Sequence, residues 1–100
     1  MTNGTTLHAT HTVSAKLIAG EEAEAIAAAV CAQNPTAIVE DHGSYLSLAS
    51  DKVLVLDTAL ISEELGRPYD VPTLLVVLAS YTGQVDVQDT RVVIREATAD

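Results

Sequence analysis

The sequence predicts an α+β domain: a small sheet of mixed or antiparallel strands accompanied by one longer and two short helices. Three observations carry that expectation. Apolar and polar residues alternate with period two in short runs, as at residues 13–17, which is the pattern of strands with one solvated face. Residues 21–33 form an alanine-rich block with helical periodicity instead. Turn-forming groups, among them Asp41-His42-Gly43-Ser44 and Ser50-Asp51-Lys52, separate the runs at hairpin-like spacing.

Residues 1–12 lack apolar periodicity and read as a flexible tail, because too little surface can be buried there to offset ordering entropy. The domain itself is expected over residues 13–96. Val13, Ala15 and Leu17 alternate with Ser14 and Lys16 to give a strand that ends at Ala19-Gly20. In the helix that follows, Ala23, Ile26, Ala27 and Val30 share a stripe, and Glu21, Glu22 and Glu24 sit at the favourable N-terminal end of the dipole. Asn34-Pro35 stops it, since proline lacks the N–H and restricts the residue before it.

Short strands are predicted at residues 37–40, 45–49 and 53–56, joined by the two tight turns into a three-stranded meander. The last, an uninterrupted apolar run, is expected to be covered by other elements. Asp57 or Thr58 can cap a short helix to Leu65, with Leu60, Ile61 and Leu65 buried and Gly66 suited to the left-handed position that closes it. Asp70 is a second cap, and Pro72 is tolerated in the first turn of a helix carrying Leu74, Leu75 and Leu78 inward. Leu74 to Ala79 is equally good strand material, so the end of this helix stays open. Residues 84–87 and 90–96 read as a closing hairpin around Gln88-Asp89, and residues 97–100 as a frayed end.

A chain of 100 residues with 48% hydrophobic composition is one globular domain. Its aromatics are Tyr45, Tyr69 and Tyr81, so the core must be aliphatic. With 14 acidic and 5 basic side chains the net charge is −9, which repels nucleic-acid phosphates. No apolar run reaches the roughly 18–20 residues needed to cross a bilayer, and no signal-like segment opens the chain. No nucleic acid, no membrane and a cytoplasmic location are therefore expected. The single cysteine, Cys31, has no partner within the chain and no adjacent cation to stabilise a thiolate, so it reads as a buried structural thiol.

Catalytic chemistry finds little support. Glu40-Asp41-His42 beside Gly43 reads as turn chemistry, with His42 and Asp41 as the remaining hydrolase or isomerase alternative. His8 and His11 lack a third ligand of fixed geometry. Glu63-Glu64 lacks the Glu-x-x-His companion of carboxylate-bridged metal pairs, and no phosphate-binding glycine motif occurs. Surfaces remain. Small and hydroxylated residues with one aromatic follow the apolar stretch at Ala79, Ser80, Tyr81, Thr82, Gly83 and Gln84. Such a corner either presents a tyrosine anchor to another protein or is a plain turn with Tyr81 folded onto the core.

Three blocks resemble one family. They are Gln33-Asn34-Pro35-Thr36-Ala37-Ile38-Val39-Glu40-Asp41, Glu64-Leu65-Gly66-Arg67-Pro68-Tyr69-Asp70-Val71 and Leu78-Ala79-Ser80-Tyr81-Thr82-Gly83-Gln84-Val85. In order and spacing they are similar to the effector, or coupling, proteins of bacterial multicomponent di-iron monooxygenases, the family of methane monooxygenase component B and of the phenol, toluene and alkene counterparts. The resemblance implies a cofactor-free, non-catalytic protein. Its partner would be the di-iron hydroxylase, whose active site, oxygen activation and coupling of NADH oxidation to alkene or aromatic oxidation it tunes. The third block implies a partner contact at residues 79–84. Ala79 and Tyr81 depart there from the hydroxylated residues of the methane protein, which suits a different hydroxylase. Asn34 is a second-tier contact candidate, because its match can reflect helix termination before Pro35 alone, and Arg67 is balanced between a partner contact and a structural ion pair with a carboxylate. Tyr81→Ala and Gly83→Ala are both expected to weaken stimulation and spare the fold. A small-molecule-binding regulatory domain is the alternative with the same organisation.

Overall fold

The computed structural model describes residues 12–96. The expectations for a tail, for a frayed end and for His8 and His11 lie outside the described residues. Thr12, assigned to the tail on composition, opens the first strand. The elements are β1 (Thr12–Ile18), α1 (Glu21–Gln33), β2 (Ile38–Asp41), β3 (Tyr45–Asp51), β4 (Val53–Asp57), α2 (Thr58–Leu65), α3 (Val71–Val77), β5 (Leu78–Thr82), β6 (Gln84–Val87) and β7 (Arg91–Arg95). This is an α+β fold in which all five strand pairings are antiparallel.

The strands divide into two sheets, of order β2-β3-β1-β5 and β4-β7-β6. The expected meander is therefore corrected: β2 and β3 form a hairpin, but β4 leaves for the other sheet and pairs with β7. The chain crosses between the sheets three times: at Lys52, in a left-handed conformation at φ 71°, through α2 and α3 from β4 back to β5, and at Gly83 at φ 129°. β4 is also less enclosed than an apolar run suggests, since Leu54 and Leu56 point inward while Val53 is exposed.

The core lies between the inner face of the four-stranded sheet, the smaller sheet and α1. Val13, Ala15, Leu17, Leu46 and Leu48 meet Leu54, Leu56, Val92 and Ile94, with Ile26 and Val30 of α1 between them. Each of the valines, leucines and isoleucines contributes about 1.5–3 kcal/mol on burial. The alanines of α1 let it sit close: Ala25 and Ala29 are buried together with the expected stripe. Cys31 is exposed, not buried. It falls on the opposite side of the helix with Glu24 and Ala28, at the i, i+4 and i+7 positions that face solvent.

The two short helices are set by their caps. The Asp57 carboxylate accepts from Ala59 N–H at 2.8 Å and opens α2, and Gly66, at φ 75°, donates to Ser62 O and closes it. The Asp70 carboxylate accepts from Thr73 N–H at 3.0 Å and from the Thr73 hydroxyl at 2.5 Å, opening α3. Val71 and Leu74 bury the inner side of α3, whereas Leu75, expected inward, is exposed. The helix ends at Val77, so Leu78 reaches the core from β5 and not from a further helical turn.

Candidate docking surface

Residues 79–82 are not a corner. They belong to β5, an edge strand hydrogen-bonded to β1, and all four are exposed. Lys16 faces Ser80 and Leu17 faces Leu78, so Ala79 is the extra residue of a bulge. The bulge resets the alternation. Leu78 can join Leu17 on the core side while Ser80 and Thr82 share the outer face with Lys16 and Ser14.

The registers of the four strands then define that outer face. One cross-strand row reads Ile38, Ala49, Ser14, Thr82; the next reads Glu40, Ser47, Lys16, Ser80. These are the half-buried and exposed members of each alternating strand, and no described helix lies on them. Small and hydroxylated side chains make the middle of this face flat. At one end the Lys16 ammonium stands 5.4 Å from the Tyr45 ring centroid, Tyr45 stacks on His42 at 4.6 Å, and His42 Nε2 lies 3.3 Å from Glu40 Oε1. Tyr81 pairs with buried Ala15 and so starts from the core side, but at the sheet edge it stays 46% exposed. It is not folded onto the core.

Gly83 and Asn34 have internal roles. A Cβ on Gly83 would stand 2.7 Å from the Arg95 carbonyl oxygen and 3.1 Å from side-chain atoms of Ile94 and Val13. Gly83→Ala therefore strikes backbone where the two sheets meet, which corrects the expectation that it spares the fold. Gln84 lies just past the crossing, at the start of β6. Asn34 is 6% exposed and its carboxamide is wholly engaged: Nδ2 donates to Val30 O at 2.8 Å and Val55 O at 3.1 Å, and Oδ1 accepts from Val55 N–H at 3.1 Å.

Arg67 is exposed and forms a surface ion pair, with Nη1 3.5 Å from Glu21 Oε2. Next to it, Tyr69 donates its hydroxyl to Glu22 Oε1 at 3.1 Å, a link between α1 and the α2–α3 loop. Burial, followed by the Glu22 charge and this hydrogen bond, pushes the Tyr69 phenol well above its ordinary pKa. Sequence reading did not single out Tyr69 for this, because its partner is 47 positions away. Gly66, Arg67, Tyr69 and Asp70 thus act together: they close α2, tie the loop to α1 and open α3.

The enzymatic alternative is not assembled. Asp41 Oδ1 accepts from Gly43 N–H at 2.8 Å, while His42 faces Glu40 and Tyr45. Among the described residues no three His, Cys, Asp or Glu side chains cluster as metal ligands, and no helix is long and apolar enough to cross a membrane.

Among the described residues, then, a small α+β domain leaves one sheet face of small and hydroxylated side chains open. The chain belongs to the MmoB/DmpM family, which it matches over residues 11–95. It is 31% identical over 74 residues to the phenol 2-monooxygenase stimulatory component DmpM of Pseudomonas sp. (strain CF600), covering 74% of this chain and 82% of that protein. To the methane monooxygenase regulatory protein B of Methylosinus trichosporium it is 29% identical over 83 residues, or 78% of this chain and 60% of that one. One chain of a structure of a phenol hydroxylase–regulatory protein complex superposes with a TM-score of 0.76 at 26% identity, over 84% of this chain and 97% of the other. The structure of soluble methane monooxygenase regulatory protein B gives 0.66 at 26% identity, over 85% and 64%.

Proposed function

We propose that this protein is the non-catalytic effector of a multicomponent monooxygenase, and that it docks on the di-iron hydroxylase through the outer face of the four-stranded sheet and its β5 edge. One observation carries the reading: Ser80 and Thr82, from the block that resembles the family, fall into register with Ser14, Lys16, Ser47 and Ala49 on a face left open among the described residues. Tyr81, on the opposite side of the same edge strand, adds an exposed aromatic anchor beside that face. Buried Asn34 is left out of the proposed contact, Gly83 shapes the crossing beside it from within, and Arg67 stands apart in an exposed ion pair with Glu21. Gln84 borders it.

The effector works through differential affinity. Binding one hydroxylase conformation more tightly than another moves the population toward it, and a tenfold preference corresponds to about 1.4 kcal/mol. Oxygen activation and the coupling of NADH oxidation to alkene or aromatic oxidation then change without chemistry on this chain, in the cytoplasm where the reductant is supplied. A net charge of −9 favours encounter with a basic hydroxylase surface and makes association sensitive to salt.

Sedimentation of the chain mixed with its cognate hydroxylase tests the reading. A saturable complex is expected, weakened when Ser80 and Thr82 are replaced together by lysine. No complex at any concentration, or saturable binding of a small metabolite by the isolated chain in its place, would overturn it.

A further inference from the structure

Two β-branched side chains stand out of an acidic surface at the junction of β1, α1 and α3. Val76, in the last turn of α3, is 76% exposed, and Ile18, the last residue of β1, is 55% exposed. With Val77 they line one wall of a cleft of about 380 Å³ whose opposite wall is the first turn of α1, at Glu21 and Glu22. Glu22 also borders a second hollow of about 200 Å³, which reaches Asp70. The two hollows adjoin at Glu22, the first carrying the apolar side chains and the second Asp70.

Neither valine nor isoleucine stabilises the fold at such exposure, and exposed apolar side chains gathered at a cleft mark an interaction site. The charges say what kind. Glu21, Glu22 and Asp70 bring three carboxylates to the groove against one cation, Arg67, which is already drawn to Glu21. A second copy of this chain would bring another net −9 to the contact, and like charges across an interface are costly. An anionic lipid surface is disfavoured for the same reason. The groove is also continuous with the open sheet face, since Ile18 is the cross-strand partner of Tyr45.

We infer that this groove receives an apolar side chain of the hydroxylase flanked by a lysine or arginine: the apolar group seats against Ile18, Val76 and Val77, and the cation faces Glu21, Glu22 and Asp70. This rests on the effector reading and adds a second, anchoring contact beside the flat sheet face. It assigns Val76 and Ile18 a binding role outside the three sequence blocks.

The test is a titration of cognate hydroxylase turnover with the full chain, comparing wild type with Val76→Asp, Ile18→Asp, Val76→Leu and Glu21→Gln, each checked for an unchanged circular dichroism spectrum and melting midpoint. Both aspartate variants are expected to raise the half-saturating concentration by about tenfold or more. Val76→Leu keeps the wild-type value, and Glu21→Gln flattens its dependence on salt. Aspartate variants that titrate like wild type overturn the groove while leaving the effector reading standing. Self-association of the wild type that Val76→Asp abolishes would assign the groove to a second copy and overturn the inference as well. A wild-type chain without any effect on hydroxylase would bring down the effector reading itself.

Discussion

The carboxamide of Asn34 grips the backbone of Val55 with both ends, accepting from its N–H and donating to its carbonyl at 3.1 Å each. Val55 lies on β4, an outer strand of the three-stranded sheet, so one side chain does there what a neighbouring strand would otherwise do. The edge is capped at Val55, and the end of α1 is fixed to the smaller sheet through Val30 O. Asn34-Pro35 therefore both ends the helix and ties it down.

Replacing Asn34 by alanine leaves the Val55 N–H and carbonyl without their partner, and destabilisation by about 2–3 kcal/mol is expected. Asn34→Asp keeps the acceptor but sets a carboxylate against two carbonyls, so it is expected to be no better. Urea unfolding of both variants measures this. Stabilities within error of wild type would refute the strut.

Gly83 and Tyr81 are two positions apart and should behave oppositely. Gly83→Ala forces a Cβ into the Arg95 carbonyl at a positive φ and should lower stability by about 1–3 kcal/mol. Tyr81→Ala, at an exposed edge, should stay within about 0.5 kcal/mol of wild type while weakening hydroxylase binding. Thermal melts paired with a binding titration separate the two. A destabilised Tyr81→Ala with undiminished affinity would place Tyr81 in the structure and not at the contact.

Tyr69 gives a signature at high pH. Its folded pKa is raised above the ordinary tyrosine value of about 10, so the stability it contributes is complete below that pH and is lost as pH climbs toward the folded value. The stability gap between wild type and Tyr69→Phe should therefore narrow above about pH 10. The difference between their absorbance titrations isolates the Tyr69 phenol. Ionisation of that phenol at the ordinary value in the folded protein would count against the link to Glu22.

Asp70 has the opposite sign. Hydrogen bonds from the Thr73 hydroxyl, then from its N–H, hold the carboxyl below the usual range. Its contribution is thus present above about pH 4 and fades as pH falls through the folded value. Asp70→Ala should be less stable than wild type at neutral pH, and the two should converge in acid. A gap that persists unchanged there would mean the capping carboxylate is not its source.

Much of the fold could be read locally. The bounds of α1 and β6, the caps at Asp57 and Asp70 and the stop at Gly66 follow from propensity and hydrogen-bonding chemistry within a few residues. Strand partnership could not be read that way. β3 and β4 are joined by a tight turn that suits a hairpin, and only the left-handed turn at Lys52 and the distant β7 decide that they part. Cys31 and Leu75 were misplaced because a helix of small or uniformly apolar residues gives little contrast between its faces. The block at residues 79–84 drew attention to β5, but the sheet face it belongs to was hidden. That face depends on a bulge at Ala79 and on neighbours 30–70 positions away, Ser14, Lys16, Ser47 and Ala49. Asn34 and Gly83 matched the family block for reasons internal to the domain.

Product formed per NADH consumed by the cognate hydroxylase, measured across a concentration series of this chain, bears most directly on the central claim. Turnover and coupling should both rise and then saturate as the chain is added, with no oxidation by the chain alone. A ratio and rate that stay flat over the whole series would contradict the claim that this domain works by selecting a hydroxylase conformation.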